Sequence, residues 1–256
     1  MVRLHVEGPL AAGQAVAVTR AQAHYLAHVM RLAPGAAVEA FDGVHGGWEA
    51  VVEDLGKRGG TLRAVRQARP QRDPPDLWLL FAPVKKARTD FIVEKATELG
   101  AARIVPVLTE RTQAERVRVD RLQAHAVEAA EQCGGTFVPP VAEPVRLGAL
   151  LDGWAGGRAL VFADEGLSDD PAWRSGGAAA SPTPPSSPSP PSTMRLPPAP
   201  AAVLVGPEGG FAPGERARIR ALPNAAPLSL GPRILRADTA AVAALTLWQA
   251  ARGDWR

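Results

Sequence analysis

The chain has one cysteine, Cys133, in 256 residues, so it cannot form an intrachain disulfide, and no CxxC or HExxH spacing marks a metal site. No metal is therefore expected. No run of about 18 apolar residues occurs, which argues against a membrane-spanning helix, and the start MVRLHVEGPL lacks the basic-then-apolar order of a secretory leader. A soluble, cytoplasmic protein is the expectation. Charge of one sign is scarce as well: 29 Lys and Arg face 26 Asp and Glu, a formal +3. That total supports no broad polycationic surface, although an isoelectric point near 9.5 leans toward an anionic partner. The missing GxGxxG disfavours a nicotinamide enzyme, and the missing GxxxxGK[ST] excludes a P-loop.

What is present is ordinary globular usage, 46% apolar and 21% charged, at a length that suits one or two domains. From Met1 to about Ala68, short alternating segments (QAVAVT, AAVEAF, WEAVVEDL, TLRAV) read as strands, with turns at Phe41-Asp42-Gly43 and Lys57-Arg58-Gly59-Gly60. One helix from about Ala21 to Leu32 interrupts them, with His24, His28 and Arg31 on one face. Arg69 to Pro75 reads as a linker, giving a β-rich module over 1–70 and a second over 71–256.

In the second module, strands at 77–84, 103–108, 159–163, 202–205 and 228–230 alternate with helices at 90–99, 119–133, 214–222 and 239–252. Phe91, Ile92, Ala96 and Leu99 are expected inward, with Gly100 as a stop. The alternation predicts an α/β fold with a mostly parallel sheet covered on both faces. Residues 174–200 break the pattern with nine prolines, and read as a disordered insertion or as a proline-rich ligand for another domain.

Three segments carry chemistry. In Val203-Leu204-Val205-Gly206-Pro207-Glu208-Gly209-Gly210-Phe211, a buried strand enters a glycine-rich turn before a helix that starts near Pro213. Such turns admit a ligand close to the backbone at a strand's carboxyl end, and are also common structurally. About 25 residues on, Leu228-Ser229-Leu230-Gly231-Pro232-Arg233-Ile234-Leu235-Arg236 repeats the design, with Asp238 and Thr239 as helix caps. Its arginines suit phosphate or a carbonyl-rich base, or a surface carboxylate. The third segment places Lys85, Lys86 and Arg88 between strand and helix, as phosphate contacts or a solvated run, and Thr109-Glu110-Arg111-Thr112 follows the next strand toward the same rim. His24 and His28 have metal-ligand spacing but no third partner, so a surface or RNA-facing role fits them better.

These residues resemble a family. LVGPEGGF and LSLGPRILRADTA, with KKARTDFIVEKATELGAARIVPVLTERT and HAVEAAEQCGG, look like RsmE-like 16S ribosomal RNA uridine-N3 methyltransferases of the SPOUT class. HYLAHVMRLAPGAAVEAFDG is similar to that family's N-terminal PUA-like barrel, so the resemblance covers nearly the whole chain. It implies an α/β domain with a C-terminal trefoil knot, a homodimer, and S-adenosylmethionine (SAM) held by the two loops. The target implied is a uridine of the small subunit's decoding region, position 1498 in the usual RNA numbering.

Carried onto this sequence, the resemblance implies a cofactor cradle of Leu204, Gly206, Glu208, Gly209, Leu230, Gly231, Ile234, Leu235 and Arg236. Glu208 and Arg236 are the catalytic candidates. RNA contacts are expected from His24, Arg31, Lys85, Lys86, Arg88, Arg111 and Arg233. Two features depart from the family pattern: the proline-rich insertion, and Cys133-Gly134-Gly135-Thr136 where a Gly-Arg pair is usual. The alternatives are a SPOUT enzyme acting on a ribose 2′-OH or on transfer RNA, and a non-catalytic RNA-binding ribosome-assembly factor.

Overall fold

The computed structural model describes residues 1–113, 116–154, 156–169 and 196–255. Most of the proline-rich stretch, 174–195, lies outside the described residues. The chain divides into two units, Met1–Asp73 with Val127–Val138, and Pro74–Ala126 with Pro139–Arg256.

The first unit holds strands β1 (Arg3–His5), β2 (Ala15–Val18), β3 (Ala37–Phe41), β4 (Gly47–Gly56) and β5 (Gly59–Arg69). They form one sheet in the order β1-β3-β4-β5-β2, with β1 parallel to β3 and the other pairs antiparallel. Alternation directs Val16, Val18, Val38, Ala40, Ala50, Val52, Leu62 and Ala64 to a core shared with Leu4, Val6 and Leu26. Helix α1 (Arg20–His24) starts at a capping box between Thr19 and Gln22 and widens into a π turn, Tyr25–Val29. The helix expected to reach Leu32 thus stops at Val29, and Arg31, at φ 55°, lies beyond it and not on the shared face. The expected linker also begins too early, because Arg69 closes β5 and donates to Gly134 O at 2.8 Å. Gln71 reaches Gly43 O at 2.9 Å. Arg3 caps the end of the helix Val119–Cys133, donating to Ala130 O, Glu131 O and Gly135 O at 2.7, 2.8 and 2.6 Å.

The second unit is built on six parallel strands, β6 (Leu77–Phe81), β7 (Arg103–Leu108), β8 (Val145–Arg146), β9 (Ala159–Ala163), β10 (Ala201–Val205) and β11 (Ala225–Leu228), in the order β11-β9-β10-β6-β7-β8. Among the described residues its helices are α2 (Lys86–Glu98), the start of α3 (Val119–Cys133, whose second half belongs to the first unit), α4 (Leu147–Asp152), α5 (Pro213–Arg220) and α6 (Ala237–Arg252). One sheet face, with Leu80, Leu160, Phe162, Ala202 and Leu204, packs on Leu147, Leu151 and Ile219 of α4 and α5. Residues of opposite parity, Leu79, Phe81, Val161 and Val203, are also fully buried, as a sheet covered on both sides requires. In α6, buried Gln249 donates to Leu99 O at 2.6 Å, satisfying the end of α2 where Gly100 turns at φ 73°. Leu196 is buried, and Trp248 Nε1 donates to Pro197 O at 3.0 Å, so the stretch 196–200 is packed on the final helix.

Several boundaries differ from expectation. Strand β6 ends at Phe81, and α2 begins at Lys86 instead of Asp90, so Lys86 and Arg88 form its first turn. Phe91 points outward, and the buried stripe is Thr89, Ile92, Val93, Ala96 and Thr97. Strand β11 ends at Leu228, where the strand was expected to begin, and α6 is entered at Arg236, placing Asp238 inside its first turn.

Candidate active site

In the sheet order, β11, β9 and β10 are neighbours, so their three carboxyl ends lie side by side. Such ends are where open α/β sheets collect ligands. After Val205 the chain forms a tight turn, Gly210 N–H donating to Pro207 O at 2.9 Å, which sets Glu208 at its tip. Gly210 sits at φ 67°, and a Cβ there would lie 2.3 Å from Glu165 Oε1. Only glycine fits. The next residue, Phe211, is buried edge-on to Phe162 at 6.4 Å, and its N–H donates to Glu165 Oε1 at 3.2 Å. Glu215 then accepts Ala212 N–H at 3.1 Å, starting α5 behind Pro213.

The second loop leaves β11 through buried Ser229 and turns at Gly231, φ 99°. Between the loops stands the end of β9, which contributes Asp164 and Glu165. The Asp164 side chain is fully buried and is neutralised by α5: Arg220 donates from Nη2 and Nε at 2.5 and 3.0 Å, and Arg216 Nε lies 3.2 Å away. Glu165 pairs with Arg216. Together the three strand ends wall a narrow cleft of about 70 Å³, lined by Gly206, Glu208, Leu230, Gly231, Ile234 and Leu235 of the expected residues, with Arg233 at its edge.

A larger cavity of about 630 Å³ adjoins it. Lys85, Lys86 and Thr89 at the start of α2 form one side, and Arg111, Gln113, Arg116, Arg118 and Arg121 another. The turn Pro207-Glu208-Gly209 closes it, so Pro207 and Glu208 belong to both linings. Arg111 Nη1 donates to Gly209 O at 2.8 Å. Arg88 is paired with Glu208, and its Nε lies 3.7 Å from Asp238 Oδ2.

The expected site residues thus separate. Gly209, Lys85, Lys86 and Arg111 border the larger cavity and not the cleft. Leu204 is buried within β10, and Arg236 is exposed at the entrance of α6, in neither lining. His24 and Arg31 are exposed in the first unit, the His24 and His28 rings 4.7 Å apart. Among the described residues no group of three His, Cys, Asp or Glu side chains is arranged to hold a metal ion, and no helix is long and apolar enough to cross a membrane.

Residues 71–249 match the RNA methyltransferase domain family, and residues 18–65 the PUA domain of RNA methyltransferases. The ribosomal RNA small subunit methyltransferase E of Synechocystis is 33% identical over 233 residues, 90% of this chain and 71% of that protein. The chain belongs to the ribosomal RNA small subunit methyltransferase E family. A second member of this methyltransferase E family, from Rickettsia conorii, is 26% identical over 87% of the chain and 84% of its own length. Two solved structures superpose at a TM-score of 0.80: a Legionella pneumophila methyltransferase with bound SAM, 28% identical with 99% of each chain covered, and the SAM-bound methyltransferase E of Neisseria gonorrhoeae, 25% identical with 100% of each covered. The α/β fold on a parallel sheet, with an N-terminal PUA domain, is therefore that of the methyltransferase E family.

Asp164 and Glu165 are the charged cleft residues that sequence reasoning missed. Their signal, two acids directly after an apolar strand, acquires meaning only once β9 is known to lie between β10 and β11.

Proposed function

We propose that this chain methylates the 16S ribosomal RNA of the small ribosomal subunit at N3 of a uridine, with SAM as donor. The observation that carries this reading is the shared wall: Glu208 borders both the cleft at the strand ends and the cation-lined cavity beside it. SAM supplies an electrophilic sulfonium methyl group. The cleft suits such a molecule, because Val205, Leu228, Leu230, Ala237 and Ala240 offer apolar surface while Gly206, Gly210 and Gly231 bring backbone close. At about 70 Å³ it admits only part of the donor, and Ile234, 76% exposed, is apolar surface that binding would cover.

N3 of uracil carries a proton at neutral pH, so the residues must orient the base, accept that proton and stabilise the anionic carbonyl oxygens. Glu208 is assigned the first two tasks, and Arg236 the third once RNA or a second subunit brings charge to its exposed position. Arg233, Lys85, Lys86 and Arg111 are assigned phosphate contacts, and His24 and Arg31 contacts from the PUA domain. Family membership supports three further elements of the proposal: a trefoil knot formed by the two loops, a homodimer, and action in the cytoplasm.

The reading is tested by titrating SAM calorimetrically and by single-turnover methylation of small subunits. Wild type is expected to bind SAM, and Glu208→Ala and Arg236→Ala to slow transfer by about 100-fold each, the usual scale for a missing proton-transfer or charge-stabilising group. Near-wild-type transfer by both variants removes the residue assignment, and a wild type without SAM affinity removes the function.

A further inference from the structure

We propose that the 630 Å³ cavity is the site into which one pyrimidine nucleotide is extruded from the RNA, with its phosphates on Lys85, Lys86 and Arg116. This rests on the methyltransferase reading above, and specifies where the acceptor goes.

Among the described residues, six cations line the cavity, Lys85, Lys86, Arg111, Arg116, Arg118 and Arg121, against one carboxylate, Glu208. They are not equivalent. Arg121 is paired with Asp90 and Arg118 with Asp120, while Arg111 Nη1 donates to Gly209 O. Lys85, Lys86, Arg111 and Arg116 have no carboxylate partner among the described residues. Lys85 is moreover the N-cap of α2, makes no side-chain capping hydrogen bond, and is followed by a first turn without an acid. Cations at the positive end of a 13-residue helix are electrostatically unfavourable unless an anion joins them. A phosphodiester supplies that anion.

The rest of the lining is suited to a base. Pro83, Val84, Val117 and Leu122 give an apolar surface, Gln113 and Thr89 give polar edges, and the volume falls within the range of small-molecule sites. Chemistry points the same way. N3 lies on the pairing edge of uracil and is blocked in a base pair, so an enzyme that alkylates it acts on an unpaired nucleotide or draws a paired one out. Extruded here, the base meets Glu208 on the wall shared with the cleft.

RNA could instead track across these cations without entering the cavity, and filling the space separates the two cases. Gln113 is an exposed lining residue, so Gln113→Trp occupies the cavity without disturbing the core. The expected result is a fall of about 100-fold in kcat/KM for small subunits, the scale of a misplaced reactant, with SAM affinity unchanged. The double variant Lys85→Gln, Lys86→Gln is the independent arm. Its expected effect is a raised KM and a slope of log affinity against log salt shallower by about 0.7 to 0.9 for each phosphate that is no longer neutralised. Wild-type kcat/KM in Gln113→Trp overturns extrusion into this cavity, and an unchanged salt slope in the lysine variant overturns the phosphate assignment. If wild type neither binds SAM nor methylates, it is the underlying function that fails.

Discussion

Gly210→Ala tests how the cleft is built. The left-handed backbone at φ 67° costs an alanine about 1 to 2 kcal/mol. The new Cβ would also stand 2.3 Å from Glu165 Oε1 and 2.8 Å from its Cδ, so that side chain must shift. The shift disturbs the acceptor of Phe211 N–H and the pair with Arg216, adding about 1 to 3 kcal/mol for these partly buried groups. A loss of about 2 to 5 kcal/mol corresponds to a fall in Tm of roughly 5 to 15 °C for a unit of this size. Because Gly210 and Glu165 both line the cleft, SAM affinity by calorimetry is expected to drop at least about tenfold, the equivalent of 1.4 kcal/mol. Gly214→Ala is the control: nothing lies within 4 Å of its Cβ, and it sits in α5 without a positive φ, so stability should hold or rise slightly. A Gly210→Ala protein as stable as wild type, with SAM affinity intact, would refute the reasoning.

Arg88 is committed to Glu208 and Asp238, so Arg88→Gln should leave the salt slope of RNA binding unchanged while slowing methyl transfer. If it acts through Glu208, the double variant with Glu208→Gln should be no slower than Glu208→Gln alone; additive losses in single-turnover rate would place it on the RNA instead. In the first unit, burial lowers the His5 imidazole below its ordinary pKa, against the opposing pull of Asp42 and Glu7. The unfolded chain then takes up the proton first, so His5 contributes its full stability above its ordinary value near 6.5, and that contribution is lost as pH falls toward the folded pKa. Urea midpoints measured between pH 7.5 and 5 should decline over this window, and His5→Gln should flatten the decline.

Elements with a dense apolar run and a glycine stop are legible in the sequence alone. The strands Arg103–Leu108 and Ala159–Ala163 and the helix Val119–Cys133 lie where periodicity puts them. Strand Ala225–Leu228 escapes the pattern because it is a short edge strand containing Pro227, whereas Leu228-Ser229-Leu230 alternates convincingly but already turns into the loop. Strands Arg3–His5 and Val145–Arg146 are too short to carry a period at all. Phe91 misleads because the stripe of α2 that packs is made of smaller residues, Thr89, Ala96 and Thr97 beside Ile92 and Val93. The two loops are legible as glycine-punctuated strand ends, yet not the acids between them, since strand order is a property of the sheet. The commitment of Arg88 is hidden for a related reason: its partner Glu208 is 120 residues away in sequence.

Small subunits from cells lacking the endogenous enzyme, incubated with this protein and labelled SAM and then digested to nucleosides, test the central claim most directly. Label is expected in N3-methyluridine at a single position of the 16S RNA, dependent on Glu208. Label in a 2′-O-methyl nucleoside, or none in protein that is folded and saturated with SAM, would contradict it.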